Sequence, residues 1–333
     1  MKIGLLFDSQ AELMAAPKAQ VNTHYHWREP EEVAAVTQAL TDLGHTVDAI
    51  GSLENLLRWQ QQDLLDLVWN LSVGALSRNR TALAPALLEH LGIPYTGGDA
   101  ATKSLTLNKD WLKPVLEWCN IATPPWRRFG LGESITELPP WPVSLLKPTC
   151  EGYSLGLQRF ETQDGLAVLQ KQVQQLQSQF QTAVLCEPLI VGREITVGVV
   201  GNLEPSLVGA VETLTTSGQA LQEQVLDLQA KRQGGFQKVN VDLADSDLQS
   251  LRSAALKLMS LLQPLDYATF DFRLDQQGQA YLVDVNADAT LHPLRSLAQI
   301  AQAQNLTYAH LIQLILTTTG QRWKLELEDP SAS

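Results

Sequence analysis

Apolar positions along the chain switch repeatedly between strand and helix spacing. Residues 3–7 form a short apolar run of the strand type, and after a polar stretch the segment EPEEVAAVTQALTDLGH carries Val33, Val36, Ala39, Leu40 and Leu43 at helical spacing. Pro30 with Glu31 and Glu32 makes a favourable first turn, and Gly44 a favourable stop. The pattern then predicts a strand over 46–50, a short helix over 55–62 and a strand over 65–70. The last of these is nearly unbroken in apolar character, as in a parallel sheet covered on both faces. A helix over 83–91 ends at Gly92, and IPYTG makes a short strand and turn. Such alternation predicts an open, doubly wound α/β sheet for the first third of the chain.

Helical spacing returns over 103–118, while TPPW at 123–126 and LPPWP at 138–142 mark loops. WPVSLLKPTCEGYSLGL then reads as a strand ending at Lys147, followed by a polar, glycine-containing turn. The glutamine-rich stretch 166–181 keeps Leu169, Val173 and Leu176 at helical spacing, so it is a surface helix and not a low-complexity tract. Strand patterns follow over 184–187, 194–200, 206–214, 268–274 and 280–285, with helices over 248–262 and 306–317 and a frayed tail in LELEDPSAS. Trp69, Trp111 and Trp118 are expected in the core, and no internal repeat is visible.

With 333 residues the chain exceeds what one core usually serves, so two or three subdomains are expected. A formal charge of −12 makes long phosphate backbones and anionic membranes poor partners. Small anions remain accessible to a helix N-terminus or a local lysine cluster. Cys119, Cys150 and Cys186 form no CxxC pair, which argues against disulfides and a zinc site and points to a reducing cytoplasm. The first apolar run is too short for a signal peptide, and no stretch is long enough for a membrane span.

The most informative segment is DFRLDQQGQAYLVDVN, 271–286. Asp271 and Asp284 each lie in a strand pattern, with a hairpin turn between them, and Asn286 shares the face of Asp284 because strand side chains alternate. Two carboxylates and an amide oxygen together suit a hard cation such as Mg²⁺. Alone, the signal is weak, because acid-turn-acid hairpins are common and a solvated edge with a capping Asn is the more frequent case. Lys109, Lys147 and Lys231 add weight, each in a motif-like context: LNKDWLKP, SLLKPTCEGYSLG and LQAKRQGG. A strand, a lysine and then EGYSLG supply a charge and a loop whose N–H groups can wrap a phosphate, although the P-loop pattern is absent. In CEPLIVGREITVGVV, an acid and an apolar run precede Glu194 on a strand, an arrangement able to hold a base and a ribose.

In chain order these motifs, with LGH at 43–45 and GALSRNRTALAPALLEHLGIPYTGGDA at 74–100, resemble the ATP-grasp superfamily, specifically its D-alanine:D-alanine ligase-like branch of carboxylate-amine ligases. The resemblance covers 1–322. It implies an N-terminal open parallel-sheet domain (1–101), a small central domain with the phosphate loop (102–186), a C-terminal antiparallel-sheet domain with the metal hairpin (187–322) and a tail (323–333). ATP would lie between the last two domains. Lys109 and Lys147 would contact its phosphates, with Glu151 and Ser154 in the phosphate loop, and Lys231 would reach the γ-phosphate. Glu187 would meet the adenine amino group, Leu189 and Ile190 would offer backbone to the base, and Glu194 would take the ribose. Asp271, Asp284 and Asn286 would hold Mg²⁺, or Mn²⁺ in its place. The reaction implied is amide formation between a small-molecule carboxylate and an amine through an acyl phosphate, in an enzyme that is often a homodimer.

The acceptor end departs from that pattern. Thr269 stands where an Arg is usual, Ala289 and Thr290 where a Pro-Gly turn is usual, and Tyr153 with Ser154 where two serines are usual. Arg232 replaces the mobile-loop Tyr, and Asp284 a Glu. Arg232, Arg295 and His292 are candidate replacements in catalysis, and Glu12, Tyr153, Thr290 and His292 candidate substrate contacts. Three functions are consistent with this: a ligase acting on an amino acid or amino-acid-bearing metabolite, which leads; a catalytically silent ATP-binding protein; and D-alanine:D-alanine ligase itself. His24 and His26 have metal-like HxH spacing or line the N-terminal cleft, Arg78 and Arg80 face solvent or the cleft, and Cys150 is a small filler in the phosphate loop.

Overall fold

The computed structural model describes residues 1–15, 27–59, 65–74, 77–202, 204–226 and 235–326. The N-terminal part holds β1 (Lys2–Leu6), α1 (Gln10–Ala15), α2 (Pro30–Asp42), β2 (Thr46–Gly51), α3 (Leu53–Arg58), β3 (Leu67–Asn70) and α4 (Arg80–Leu91). Its sheet is parallel in the order β2-β1-β3, and Tyr95 of IPYTG extends it by a single parallel bridge to Val68. β3 is buried along its whole length, which accounts for its unbroken apolar sequence.

The predicted helix over 103–118 is two helices, α5 (Ala100–Leu107) and α6 (Lys109–Trp118). Asn108 makes the break. Its side-chain amide donates to the Ser104 carbonyl at 2.6 Å, and its Oδ1 accepts from Cys150 Sγ at 3.0 Å. Leu112 and Leu116 of α6 pack into the core of the C-terminal sheet, and that leaves the neighbouring stripe outside. Trp111 and Trp118, expected in the core, are therefore 50% and 77% exposed, with the Arg78 guanidinium 4.1 Å above the Trp111 ring. Trp69 is fully buried as expected.

A four-stranded antiparallel sheet follows, in the order β4 (Arg127–Phe129), β7 (Val184–Pro188), β5 (Val143–Pro148), β6 (Gln158–Glu161), with α7 (Leu166–Phe180) packed on it. The five-stranded antiparallel sheet has the order β10-β9-β8-β11-β12, formed by β8 (Gly192–Val200), β9 (Leu207–Thr215), β10 (Phe236–Val241), β11 (Tyr267–Asp275) and β12 (Ala280–Asn286). Helices α8 (Gln249–Leu261), α9 (Ser296–Ala303) and α10 (Tyr308–Trp323) complete the fold. β4, β6, β10, α1 and α9 are not among the expected elements, although α9 carries Leu297, Ile300 and Ala301 at helical spacing. The last helix starts at the Thr307 cap and runs past the predicted end at 317.

Asp266, fully buried just before β11, joins the parts. Its carboxylate accepts from Gly97 N, Asn202 Nδ2 and Thr319 Oγ1, each at 2.8 Å, and lies 3.1 Å from Arg322. Removing it leaves a shielded cation and three donors without their acceptor. Asp266→Ala is expected to lower the unfolding free energy by about 3–5 kcal/mol, read as a lower urea midpoint. A midpoint within experimental error of the parent would show that the hub carries no such weight.

Candidate active site

Strand alternation aims the functional side chains into one cavity of about 650 Å³ between the two antiparallel sheets. On β11, Phe270, Phe272 and Leu274 are core residues, while Thr269, Asp271 and Arg273 line the cavity. On β8, Ile195 and Val197 are core, and Glu194 and Thr196 face the cavity. On β5, Leu146 enters the small core, and Leu145 and Lys147 face the cavity from the other sheet.

A β-bulge decides the position of Asp284. Asp271 pairs with Asp284 and Phe272 with Leu282, which leaves Val283 as the extra residue. By plain alternation Asp284 would share the core face of Leu282; the inserted residue moves it to the face of Asp271. Thr196 pairs with Asp271 from the other side, and Thr269 lies opposite Asn286. Asp271 accepts from Thr196 Oγ1 at 2.7 Å and from Asn286 Nδ2 at 2.9 Å. Burial, opposed by Lys238 and reinforced by Asp284, pushes the Asp271 carboxyl above its usual range. Among the described residues no group of three His, Cys, Asp or Glu side chains gathers, so the oxygen cluster is the two carboxylates with Asn286.

Buried lysines face these acids. Lys109, at the start of α6, donates to Asp284 Oδ1 at 2.5 Å, and Lys103 of α5, 1% exposed, reaches Asp288 Oδ1 at 2.5 Å. Glu187 of β7 is ion-paired to both Lys113 and Lys147. Burial works against the Glu187 carboxylate, but Lys147 and Lys113 outweigh it and hold the group below its usual range. Lys113 also donates to Thr123 Oγ1 at 2.6 Å. Burial drives its ammonium down to about 8, with Glu187 opposing and Lys147 adding to the shift.

The loop after Lys147 has Tyr153 at φ +56° and Ser154 at φ +59°, two successive side-chain-bearing residues in the left-handed region. Gly156, at φ +74°, closes it where an added Cβ would meet Phe180 and Pro148 within 2.8 Å. Among the described residues, the N–H groups of Gly152, Tyr153 and Gly156 have no acceptor. Arg80 braces the loop, donating to the Cys150 carbonyl at 2.7 Å and to Glu151 Oε2 at 3.1 Å. Arg80 thus faces the cleft and Arg78 does not, and Cys150 is buried inside the loop.

Leu189 and Ile190 line the far end of the cavity. Leu189 N–H is taken by the Val143 carbonyl, and the Ile190 backbone is unpaired among the described residues. Glu194 is held by Arg273 at 2.9 Å. At the opposite end Thr290 and Arg295 line the cavity; Arg295 pairs with Glu29 at 3.6 Å, and His292, outside the lining, lies 3.5 Å from the same carboxylate. Glu12 also lies outside the lining, accepting from Ser9 Oγ and Asn55 Nδ2 at 2.8 Å each. Lys231, Arg232, His24 and His26 fall outside the described residues.

Buried charges that the sequence pattern does not reveal include Lys103, Lys113, Arg28 and Glu32 around the cavity and Asp266 at the hub. Two local signals existed, the i,i+4 spacings of Lys109 with Lys113 and of Arg28 with Glu32. Arg28 donates to the Leu71 carbonyl at 2.7 Å, to the Asp288 carbonyl at 3.0 Å and to Tyr153 Oη at 3.4 Å. Glu32 accepts from Leu291 N at 2.6 Å and Thr290 Oγ1 at 2.8 Å.

The family described as D-ala D-ala ligase C-terminus matches residues 113–317, from α6 through the whole metal-type hairpin to α10. This chain belongs to that family. It is an ATP-dependent ligase with the ATP-grasp fold. A D-alanine–D-alanine ligase of Aquifex aeolicus is 29% identical over 286 residues, covering 85% of this chain and 92% of that protein. An uncharacterized protein of Sinorhizobium fredii is 29% identical over 308 residues, covering 89% and 90%. The crystal structure of D-alanine–D-alanine ligase from Bacillus anthracis complexed with ATP superposes with a TM-score of 0.74 at 18% identity, covering 97% of this chain and 99% of that one. No helix among the described residues is long and apolar enough to cross a membrane.

The depressed Lys113 ammonium makes stability depend on pH in a definite direction. The folded protein loses this proton from about pH 8, whereas the unfolded chain keeps it to the ordinary lysine value, so the unfolded state binds more protons in between and stability rises with pH. Against Lys113→Met, which lacks the group, the wild-type protein is expected to gain relative stability between pH 8 and 10 in urea titrations. A constant difference would show that Lys113 titrates normally.

Proposed function

We propose that this ligase joins the carboxylate of an amino acid or amino-acid-bearing metabolite to an amine, with Mg²⁺ as its metal. The reading rests on one observation: Lys109, Lys147, the unpaired loop N–H groups and the Asp271–Asp284–Asn286 cluster all converge on a single cavity. The cluster suits a hard divalent cation, because its donors are all oxygens and two are carboxylates held face to face. When bound, the metal supplies positive charge to the phosphate oxygens. Lys109 and Lys147, with the loop N–H groups around Glu151 and Ser154, bind those oxygens and offset the charge on the transferring phosphoryl group. Glu187 and the Leu189–Ile190 backbone receive the base, and Glu194 the ribose. Arg295, with Lys231 and Arg232 from the segment outside the described residues, would serve the reacting end.

The neutral Thr269 in the cavity wall favours a substrate other than D-alanine over D-alanyl-D-alanine formation; the same residue favours the silent nucleotide-binding reading as second choice. Action in the cytoplasm, as a homodimer, completes the proposal.

Phosphate release from MgATP, measured with pooled D- and L-amino acids and small carboxylates, is expected to depend on one or two pool members and to vanish in Lys147→Ala. MgATP binding without release under any pool would favour the silent reading. In the same variant, MgATP affinity should fall by about 1.5–3 kcal/mol, the worth of a hydrogen bond to a charged group, measured by calorimetry. Unchanged affinity would remove Lys147 from the phosphate site.

A further inference from the structure

We propose that the phenol of Tyr153, backed by the Arg28 guanidinium, is the donor that stabilises the oxyanion formed when the amine attacks. The proposal rests on the ligase reading above and names the group that serves its second step.

On the wall of the cavity opposite the nucleotide end, Arg295 is paired with Glu29 at 3.6 Å. Thr269 is neutral, and both the Thr290 hydroxyl and the Leu291 N–H are committed to Glu32. Arg28 is only 3% exposed and cannot swing toward a ligand, since it is tied to Leu71, Asp288 and Tyr153 and lies 3.6 Å from Glu32. It is a fixed charge. Tyr153 Oη accepts from that charge at 3.4 Å, and its own proton has no acceptor among the described residues. The ring lies in the cavity lining, in the loop that also offers unpaired N–H groups, and its backbone is held in the left-handed region. Strain of that kind at a side-chain-bearing residue persists where the surroundings enforce it.

Tyr153 is 40% exposed as a residue, while the buried surroundings of its hydroxyl push the phenol up from its ordinary value with Arg28 pulling against that, so the group keeps its proton at neutral pH. A hydroxyl whose oxygen accepts from a cation is polarised into a stronger donor. In the amide-forming step the amine lone pair makes a bond to the acyl carbon, and the carbonyl electron pair moves onto oxygen. Tyr153 donates a hydrogen bond to this oxygen and keeps its proton. The pair then returns, the carbon–oxygen bond to phosphate breaks, and inorganic phosphate leaves with the bonding electrons and takes the amine proton.

Loss of one such donor lowers turnover by about 10²–10³-fold in a well-studied case. The test uses full-length protein, the amino-acid pool and ATP labelled with ¹⁸O in the β,γ-bridge. Positional isotope exchange reports reversible acyl phosphate formation, and phosphate release reports the complete reaction. In Tyr153→Phe, exchange should persist while phosphate release falls about 10²-fold, so their ratio rises; Arg28→Lys should shift the ratio the same way by less. Parallel loss of both signals in Tyr153→Phe would assign the residue to loop structure, and an unchanged ratio would remove it from the chemistry; either overturns the proposal. A wild-type protein with neither exchange nor release would remove the ligase reading itself, and this proposal with it.

Discussion

Lysines carried into the interior by one short stretch of chain constrain the rest of the site. An ammonium taken out of water without a partner is penalised by several kcal/mol, so each must meet a carboxylate. Lys103, Lys109 and Lys113 lie within eleven positions on α5 and α6, and they meet Asp288 after β12, Asp284 on β12 and Glu187 on β7 respectively. Asp284 belongs to the five-stranded sheet, Asp288 follows just after it, and Glu187 belongs to the four-stranded one. The α5–α6 segment therefore sets how the two halves of the cleft face each other. The break at Asn108 frees Lys109 from the phase of α5: in an unbroken helix Lys103 and Lys109, six residues apart, would lie about 120° from one another.

The same pairing gives a strongly acidic chain a place for a polyanion. Outside the cleft the field of −12 charges repels phosphate, while inside it the cations are already desolvated and aligned. On the proposed reading, a bound phosphate would compete with Asp284 for Lys109 and with Glu187 for Lys147, and Asp284 would then be available to hold a cation. Nucleotide and metal would then be coupled by charge balance, each supplying the partner that the other displaces. Replacing Lys109 by a neutral side chain would break that coupling as well as the contact.

Much of this was legible in the sequence where a local pattern carried it. Phe270, Phe272 and Leu274 alternate with Asp271 and Arg273, so the hairpin and the faces of its first strand follow from the period of two. The helix over 103–118 was read as one because both halves keep helical spacing and Asn108 is neither Gly nor Pro; its break depends on Cys150, some forty positions away. Trp111 and Trp118 lie one position before and two positions after the Leu112–Leu116 stripe, a distinction that needs the packing partner to be known. β10 is half polar and α9 has no side-chain cap, so neither announced itself. The oxygen cluster could be anticipated, but the bulge at Val283 that makes Asp284 face Asp271 has no sequence mark. Buried charge pairs between distant segments were the least accessible, since no spacing relates 113 to 187 or 28 to 153.

The departures at the acceptor end become coherent once Arg28 is placed. Thr269 lies two residues beyond Tyr267 on β11, on the same face, and Tyr267 feels the Arg28 charge directly. A second guanidinium at 269 would put two like charges into one poorly solvated corner, where their repulsion is only weakly screened. A neutral β-branched residue there and an arginine entering from the N-terminal segment are alternative ways of placing one positive charge. Glu32 then follows, because Arg28 needs a counter-charge, and Glu32 in turn draws the Thr290 hydroxyl and the Leu291 N–H away from the cavity. With those donors withdrawn, Tyr153 is the loop residue whose hydroxyl reaches Arg28, at 3.4 Å.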